Sequence, residues 1–229
     1  MSFVQLLDAL IPSSCLLCRS AVRGRKPLCC ACEQRLPWNS AACVRCAMQM
    51  PVTASATSIC AACLQTSPLF DRAVCAFRYE EPIAGLLNRY KHSGQLAGGY
   101  WLAHGLAQRI CEHYRTENLA LPDCVLPVPL HWRRMQQRGF DQGREIARVL
   151  ARQLRLPLST ALQRQRNTQS QQGLNRAQRH SNLCAAFVLR QPLHNQRVAV
   201  VDDVLTTGST ATEITRVLHA AGVTDVHIW

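Results

Sequence analysis

Residues 198–210 read Val-Ala-Val-Val-Asp-Asp-Val-Leu-Thr-Thr-Gly-Ser-Thr, and this stretch decides the fold of the chain. Its four leading apolar residues predict a strand that is buried on both faces, as strands of parallel sheets are. Helical spacing follows over 210–221, Gly222 is typical of a helix end, and 223–229 predicts another strand. Strand, helix and strand at this spacing predict an α/β fold with a parallel sheet.

The turn between this strand and this helix carries side chains that suit a phosphorylated sugar. Ligands of open α/β sheets bind at the carboxyl ends of the strands, where a helix N-terminus attracts an anion. Asp202 and Asp203 can accept hydrogen bonds from a sugar diol or help to hold a divalent cation. Gly208 allows close approach of the backbone to a phosphate, and four nearby hydroxyl groups can donate to it. These belong to Thr206, Thr207, Ser209 and Thr210.

The chain upstream of this stretch predicts further elements of the same domain. Apolar residues three and four apart predict helices over 81–90, 96–114 and 144–156. Alternation predicts a short strand over 73–79, and the apolar run 124–129 predicts a strand that ends in a loop at its prolines. Residues 159–190 are rich in Gln, Arg and Asn with weak periodicity, and predict a long mobile excursion.

Cysteines mark the N-terminal segment. Eight of the thirteen form four Cys-x-x-Cys pairs, a spacing that lets both thiolates of a tight turn bind one tetrahedral ion. Redox-active Cys-x-x-Cys chemistry uses one such pair, and ordinary buried thiols would not repeat one spacing four times. The sequence therefore predicts structural zinc, as one or two ions, with sequential or interleaved pairing of the four motifs. The predicted ligands are Cys15, Cys18, Cys29, Cys32, Cys43, Cys46, Cys60 and Cys63.

Composition predicts a small metal-bound module followed by a larger domain. Residues 1–68 form a Cys-rich module in which metal replaces a missing core, and 69–229 form the α/β domain, which chelation of the metal should spare.

Apolar residues at 48% with 17% charged residues exclude a wholly disordered chain. No run approaches the roughly 18 apolar residues of a membrane-spanning helix, and the apolar run 3–12 lacks the basic residues of a signal peptide. We therefore expect a cytoplasmic protein.

Basic residues concentrate in the second half of the chain. Residues 124–229 carry 14 of the 26 basic side chains against 6 acidic ones. Of the 26, 24 are Arg, whose planar fork suits bidentate contact with phosphate, so a phosphate-rich partner is predicted. The predicted loop 130–139 is long and basic, with His131 and Trp132 as stacking surfaces. Its arginines, which can hold pyrophosphate or follow a nucleic-acid backbone, are Arg133, Arg134 and Arg138. Further charge comes from Arg164, Arg166, Arg176 and Arg179.

The thirteen residues 198–210 resemble the phosphoribosyl pyrophosphate (PRPP) binding motif of type I phosphoribosyltransferases at every defining position. The resemblance implies that Asp202 and Asp203 contact the ribose hydroxyls. It also implies that 206–210 bind the 5′-phosphate and that Mg²⁺ accompanies bound PRPP.

A wider resemblance, to the ComF/GntX family, covers nearly the whole chain. It rests on the order of the Cys-x-x-Cys repeats, Tyr90-Lys91, Val128-Pro129-Leu130, Arg138-Gly139-Phe140-Asp141-Gln142, Arg164-x-Arg166-x-Thr168-x-x-Gln171, Arg179-x-x-Asn182, Ala186-Phe187 and the final motif. The family is associated with DNA uptake in naturally competent bacteria. The resemblance implies a double zinc ribbon joined to a phosphoribosyltransferase-like domain that binds single-stranded DNA. Asp141 stands where the family commonly has Asn, which argues against a phosphate contact there, and relatives usually continue past the position of Trp229.

Two functions fit these residues. The first is a ComF-like competence accessory protein that binds single-stranded DNA and a PRPP-type sugar phosphate, with proteins of the competence machinery as partners. The alternative is an active Mg²⁺-dependent phosphoribosyltransferase acting on an unidentified nitrogen nucleophile, and a regulatory ligand sensor is a third, weaker interpretation. No general base is evident, since His131, His180 and His194 are candidates by residue type alone. Positioning and charge stabilisation can nevertheless drive such a transfer.

Overall fold

A computed structural model describes residues 13–22, 24, 26–53, 58–166, 185–193 and 196–229. The strands are β1 (Ser13–Ser14), β2 (Ala21–Val22), β3 (Arg72–Ala73), β4 (Cys124–Pro127), β5 (Leu162–Arg164), β6 (Phe187–Leu189), β7 (Arg197–Val201) and β8 (Asp225–Ile228). The helices are α1 (Cys30–Gln34), α2 (Ala61–Gln65), α3 (Ile83–Ser93), α4 (Leu96–Thr116), α5 (Trp132–Arg138), α6 (Gln142–Leu154) and α7 (Ser209–Ala220). None of these helices within the described residues combines the length and the hydrophobicity that a bilayer-spanning segment needs.

Four strands form one parallel sheet in the order β3-β8-β7-β4. Successive residues of β7 face opposite sides of the sheet: Val198 and Val200 pack with α7, whereas Ala199 and Val201 pack with α4 and α6. All four are fully buried, as expected of a parallel strand covered by helices on both faces. The predicted parallel α/β fold is therefore confirmed.

The last helix ends as its sequence predicts. Ala220 is the final residue of α7, and Gly222 follows with a φ of 86°, a left-handed conformation that favours glycine. This turn returns the chain to β8, whose carboxyl end lies beside that of β7 because the two strands are parallel.

The strand predicted over 73–79 is wrong in extent. Only Arg72–Ala73 pairs with β8, and the chain then turns toward the N-terminal module, where Phe77 forms an antiparallel bridge with Trp38. The rings of these two residues pack with centroids 4.4 Å apart. The alternating pattern therefore reflects two different sets of contacts, since Ala73 belongs to the sheet core and Phe77 to the contact with the module.

The structure describes the two ends of the excursion predicted over 159–190, and each end contains a strand. β5 and β6 form an antiparallel ribbon in which Leu162 lies opposite Leu189, and Leu162 and Phe187 are buried on the α7 side of the sheet. Strands of three residues are too short to show a clear period, which explains why the sequence did not predict them. Arg176, Arg179, His180 and His194 lie outside the described residues.

The N-terminal module shares a core with two helices of the α/β part. Leu28 and Leu36 of the module pack in one buried cluster with Ile83 and Leu86 of α3 and Leu102 of α4. The module therefore depends on these helices for much of its apolar contact. The domain boundary after residue 68 stays a prediction.

Candidate functional site

Eight of the described cysteines form two clusters, and within each cluster the four sulfur atoms lie within 4.8 Å of one another. The first cluster is Cys15, Cys18, Cys29 and Cys32, and the second is Cys43, Cys46, Cys60 and Cys63. The four motifs are thus paired sequentially, and the interleaved alternative is wrong. Cys30, Cys75, Cys111 and Cys124 belong to neither cluster.

Both clusters fit a zinc ion. Sulfur atoms at the corners of a tetrahedron with Zn–S bonds of about 2.3 Å stand about 3.8 Å apart. The Sγ atoms of Cys18 and Cys29 are 3.7 Å apart, and those of Cys46 and Cys60 are 3.6 Å apart. The backbone N–H of Cys60 also donates to Cys43 Sγ at 3.3 Å, a contact that favours the thiolate. Each cluster therefore has the ligand set and the spacing of a structural zinc site.

Asp203, which follows the carboxyl end of β7, forms a partly buried ion pair with Lys91. Asp203 Oδ2 lies 2.9 Å from Lys91 Nζ, and Gln142 Nε2 donates to the same oxygen at 3.3 Å. The side chains of Lys91 and Asp203 are only 16% and 14% exposed. Because water screens such a pair less than it screens a surface pair, the interaction holds the Asp203 carboxylate in one place.

Asp202 is fixed by the neighbouring strand. Its backbone N–H donates to the Trp229 carbonyl at 3.0 Å, and its Oδ1 accepts from the Asp203 N–H at 2.9 Å. Burial and the negative charge of Asp203 raise the pKa of Asp202 well above its usual range. A cation or a hydroxyl donor placed beside Asp202 would stabilise its charged form.

The turn after the two carboxylates is open to an anion. Gly208 caps α7 with a φ of 73° and has no side chain to occupy the first N–H groups of the helix. Thr206 and Thr207 are exposed, and the hydroxyls of Thr207 and Ser209 lie 2.8 Å apart. The structure thus brings the predicted hydroxyl groups and a helix N-terminus to one side of Asp202, an arrangement that suits a phosphate.

Three motifs that are far apart in the sequence meet beside Asp203. The Tyr90 hydroxyl donates to the Gln142 carbonyl at 3.3 Å, and the rings of Tyr90 and Phe140 have centroids 5.3 Å apart. These contacts join the end of α3 to the start of α6, and so hold Lys91 and Gln142 over the carboxylate. Neither residue was predicted from the sequence to have a role in the site. The only signal for them was their place in the motifs of the family resemblance.

Asp141 has a structural role. Its carboxylate accepts hydrogen bonds from the Arg144 N–H at 3.0 Å and from the Leu130 N–H at 3.4 Å, which makes it the N-cap of α6. Asp and Asn are both favoured at this position, so an acid can replace the amide without loss of the cap. The N-cap role accounts for the acid at this position, and the expectation that Asp141 contacts no phosphate stays a prediction.

The loop predicted over 130–139 contains a helix, α5, and His131 is its N-cap. His131 Nδ1 accepts from the Arg133 N–H at 3.3 Å, and the residue is only 4% exposed. Burial and the positive charge of Arg164 lower the pKa of His131, which keeps the ring neutral and able to accept this bond. The predicted stacking role of His131 is wrong, because the ring is buried.

The basic side chains of α5 lie in two environments. Arg133 is exposed, and its guanidinium lies 5.2 Å from the ring centroid of Trp132, which is 54% exposed. Burial and the charge of Arg138 lower the pKa of the half-buried Arg134. Burial and the charge of Arg134 lower the pKa of Arg164 to about 10, an effect that Asp202 opposes. Arg164 therefore interacts with the Asp202 carboxylate, and Arg134 lies near Arg164, whereas Arg133 and Trp132 face solvent.

A cavity of about 300 Å³ adjoins the two carboxylates. Its lining includes residues 202–206, residues 74–79, Trp229, and residues 46–49, which begin at Cys46 of the second cluster. Most of the other lining side chains are apolar residues of α3, α4 and α6.

Two domain families match the chain. A double zinc ribbon domain matches residues 6–64, and a phosphoribosyl transferase domain matches residues 141–229. Competence protein F of Haemophilus influenzae is 36% identical over 174 residues, which are 74% of this chain and 76% of that protein. DNA utilization protein YhgH of Escherichia coli K12 is 34% identical over 221 residues, 96% of each chain.

The chain belongs to the ComF family. The double zinc ribbon of this ComF chain contains all eight clustered cysteines, and its phosphoribosyl transferase domain contains Gln142 and the turn 202–210. Among solved structures, the glutamine PRPP amidotransferase from B. subtilis is 24% identical to the ComF chain with a TM-score of 0.34. That match covers 49% of this chain, which spans only 23% of the amidotransferase chain.

Proposed function

We propose that this ComF protein handles single-stranded DNA in the cytoplasm during DNA uptake and binds a PRPP-type sugar phosphate at the carboxyl end of β7. The names of its relatives refer to competence and to DNA utilization, which supports a role with DNA and with proteins of the competence machinery. The observation that best supports this ligand is the Lys91–Asp203 ion pair beside the glycine-capped start of α7. The Asp203 carboxylate suits a sugar diol, and the start of α7 suits a phosphate.

In the proposed complex the 5′-phosphate lies at the start of α7, where the N–H groups and hydroxyls of residues 206–210 donate to its oxygens. Asp202 and Asp203 accept hydrogen bonds from the ribose hydroxyls. Gln142 supports this placement, because its Oε1 is buried and accepts no hydrogen bond from any residue that the structure describes. A ribose hydroxyl would satisfy that atom.

The pyrophosphate of the same ligand needs positive charge close to Asp202. Arg134 and Arg164 supply it, since both are partly withdrawn from solvent and Arg164 is coupled to Asp202. Oxygen ligands from the carboxylates and the pyrophosphate are the kind that Mg²⁺ prefers. We therefore assign these two arginines to pyrophosphate rather than to DNA.

The proposed DNA surface is the solvent side of α5. Trp132 and Met135 are exposed and stand three residues apart, so they lie on one face of the helix. A base that stacks on an aromatic ring gains about 1–3 kcal/mol, whatever its sequence. Arg133, which lies beside the Trp132 ring, is placed to meet the phosphate next to such a base. The surface thus suits unpaired nucleotides better than a duplex.

We expect Trp132→Ala to weaken binding of a short single-stranded oligonucleotide roughly 5- to 100-fold, through loss of one stacking contact. Arg133→Ala should also weaken binding and should reduce the slope of log affinity against log salt by about 0.7, the value for one phosphate contact on a single strand. Fluorescence anisotropy with a labelled oligonucleotide at several salt concentrations measures both effects.

Arg152→Ala is the matched control for this experiment, since Arg152 is an exposed arginine on another helix, α6. It should leave both affinity and salt slope unchanged. Binding that is insensitive to salt, or equal losses in Arg152→Ala and Arg133→Ala, would refute the proposed DNA surface.

The cavity that adjoins Asp202 favours a second candidate function, phosphoribosyl transfer to a nitrogen nucleophile. In that reaction a nitrogen lone pair forms the bond to C1 of the ribose as the C1–O bond to pyrophosphate breaks. Pyrophosphate leaves with the bonding electrons, and the proton on the nitrogen passes to water. Mg²⁺, if bound with the ligand, would offset part of the charge on the leaving group. The positioned carboxylates and arginines would stabilise the charge that develops.

We expect pyrophosphate to be released from Mg-PRPP when a suitable acceptor is supplied, and not to be released by the double variant Asp202→Asn/Asp203→Asn. A coupled pyrophosphate assay with bases, amines and DNA ends as acceptors makes this measurement. If no acceptor leads to release of pyrophosphate by the unsubstituted protein, the transfer reaction is excluded. The proposal that the protein binds Mg-PRPP is tested separately, by measurement of binding.

A further inference from the structure

The parallel sheet has a free edge at β3, the first strand in its order. Val74, which follows this strand, donates its N–H to the Ile228 carbonyl of β8 at 2.8 Å. Successive residues of a parallel strand direct their backbone groups to opposite sides, so those of Ala73 and Cys75 point away from β8. Among the residues that the structure describes, neither the N–H nor the C=O of Cys75 has a hydrogen-bond partner. This edge therefore offers a donor and an acceptor to a further strand.

The chain just after this edge already pairs with a segment of the N-terminal module. The Asn39 N–H donates to the Ala76 carbonyl at 2.9 Å. Ser40 leaves this pairing, and its carbonyl accepts a hydrogen bond from Arg109 Nη2 of α4 at 3.0 Å. The pairing with the module therefore ends one residue short of Cys75.

A groove of about 390 Å³ lies against the free edge, between α4 and the second zinc ribbon. Residues 73–75 line it together with Val44 and Val52 of the ribbon, and the end of α4 completes the lining. Its volume is within the range for binding sites. A segment that paired with the free edge would lie in this groove and remove its apolar side chains from water.

The end of α4 forms an acidic wall of the groove. Glu112 pairs with Arg109 at 3.0 Å, but Glu117 forms no ion pair with any residue that the structure describes. This wall therefore has one carboxylate in excess, although the formal net charge of the chain is +12. Such a wall suits the side chain of a Lys or an Arg.

The second zinc ribbon forms another wall, which is nearly uncharged. Residues 36–70 contain a single charged residue, Arg45. Val52 on this wall is 90% exposed. The wall suits apolar side chains, and it offers almost no positive charge to a polyanion such as DNA.

The two walls lie on opposite faces of the sheet. Ala73 packs with Ala47 of the second ribbon in the cluster on the α7 side. Val74 packs with Ile110 and Tyr114 of α4 on the other side. Because the side chains of a strand alternate between the two faces, a strand added to β3 would direct one set toward the ribbon and the next toward α4. The segment that fits therefore alternates apolar residues with basic ones.

We propose that this groove is a docking site for an extended segment of a partner protein, which adds a strand to β3 and alternates apolar residues with Lys or Arg. Main-chain hydrogen bonds to the free edge supply affinity, and the two walls select the side chains. The inference goes beyond the proposed function, because such docking needs neither DNA nor a sugar phosphate.

The test is a selection of seven-residue peptides from a random library displayed on phage, with the full chain as the target. We expect enrichment of peptides that alternate apolar residues with Lys or Arg. The affinity of an enriched peptide, synthesised with a fluorescent label, is then measured by fluorescence anisotropy. Glu117→Lys should weaken its binding about tenfold or more, and a peptide with Glu in place of its basic residues should recover binding to this variant.

Cys75→Pro tests the main-chain contact. Proline removes the N–H that the free edge offers, and it is tolerated in an edge strand where that N–H has no partner in the fold. We expect peptide binding to weaken about tenfold while zinc content and melting temperature stay near those of the unsubstituted protein. Should this variant fail to fold, Glu117→Lys and the charge-reversed peptide decide the question.

Glu81→Lys is the matched control, since it makes the same change of charge at an exposed glutamate that does not line the groove. It should bind the peptide like the unsubstituted protein. The proposal is overturned if no alternating peptide is enriched, if Glu81→Lys and Glu117→Lys lose equal affinity, or if the charge-reversed peptide does not recover binding. A concentration-dependent dimer that Cys75→Pro abolishes, measured by sedimentation, would assign the edge to a second copy of the chain and would also overturn it.

Binding of Mg-PRPP and of a single-stranded oligonucleotide is measured on the same preparations. Peptide binding without either of these refutes the proposed function alone. Binding of both without peptide binding refutes the docking site alone.

Discussion

Replacement of Asp203 by Asn is expected to lower the affinity for Mg-PRPP roughly 10- to 100-fold. Hydrogen bonds to a charged group contribute about 1.5–3 kcal/mol each, and an amide offers a ribose hydroxyl a weaker acceptor. Lys91→Gln should lower the affinity in the same direction, because Lys91 Nζ holds the carboxylate from 2.9 Å away. Titration calorimetry with Mg-PRPP measures both effects, and the melting temperature of each variant is recorded beside it.

Lys26→Gln is the control for the lysine substitution. Lys26 and Lys91 are the two lysines of the chain, and Lys26 is exposed in the N-terminal module. Its replacement should change neither the melting temperature nor the affinity for Mg-PRPP.

The double variant Lys91→Gln/Asp203→Asn separates the structural role of the ion pair from its role in binding. Each single variant leaves a partly buried charge without its counter-ion, whereas the double variant removes both charges. We therefore expect its melting temperature to recover above that of either single variant while its affinity for Mg-PRPP stays low. An affinity that recovers together with stability would show that the pair acts only on the fold, and an unchanged affinity in Asp203→Asn would exclude the proposed ribose contact.

The sequence predicts some parts of this site closely because their signals are local. Four apolar residues, two carboxylates and a Thr-Gly-Ser turn follow one another directly, so β7, the turn and α7 can be predicted from 198–210 alone. The cysteine ligands are equally local, but their pairing is not. It depends on the path of the chain between the motifs, and the structure alone distinguishes the sequential arrangement.

Other parts depend on tertiary contacts that no spacing encodes. Lys91 and Gln142 both contact Asp203, and the Tyr90–Phe140 ring contact joins the end of α3 to the residues just before α6. His131 has the residue type of a stacking or catalytic group, yet its backbone position at the start of α5 makes it a buried cap. For all three residues the sequence shows the residue type, but the role depends on where the helix that contains the residue lies in the fold.

The shared core of the N-terminal module changes the expected effect of zinc removal. Composition alone predicts that chelation unfolds the first segment and spares the α/β domain. However, Leu28 and Leu36 of the first ribbon pack on Ile83 and Leu86 of α3. Loss of the first ribbon would therefore expose an apolar face of the helix that ends near Lys91. We therefore expect loss of the first zinc site to disturb, through α3, the ion pair between Lys91 and Asp203.

We expect Cys29→Ser to lose one equivalent of zinc, to reduce the hydrogen-exchange protection of α3 about tenfold or more, and to weaken Mg-PRPP binding. A structural zinc ion contributes about 10–16 kcal/mol to the folding of a small module, which is comparable to the whole stability of a typical domain. Exchange measured by mass spectrometry, with zinc quantified in parallel, follows α3 and β7 separately. The β7 amides should stay protected, because their buried contacts are with α4, α6 and α7.

Cys60→Ser provides the comparison, since Cys60 belongs to the second cluster, whose buried residues form a group separate from the α3 contact. It should also lose one equivalent of zinc but leave the protection of α3 and the affinity for Mg-PRPP unchanged. If the two variants behave alike, the coupling does not pass through the first ribbon. If Cys29→Ser binds Mg-PRPP normally while α3 loses protection, the position of Lys91 does not depend on the packing of that helix. Only a loss of both α3 protection and binding, confined to Cys29→Ser, fits the path from the first zinc site through α3 to Asp203.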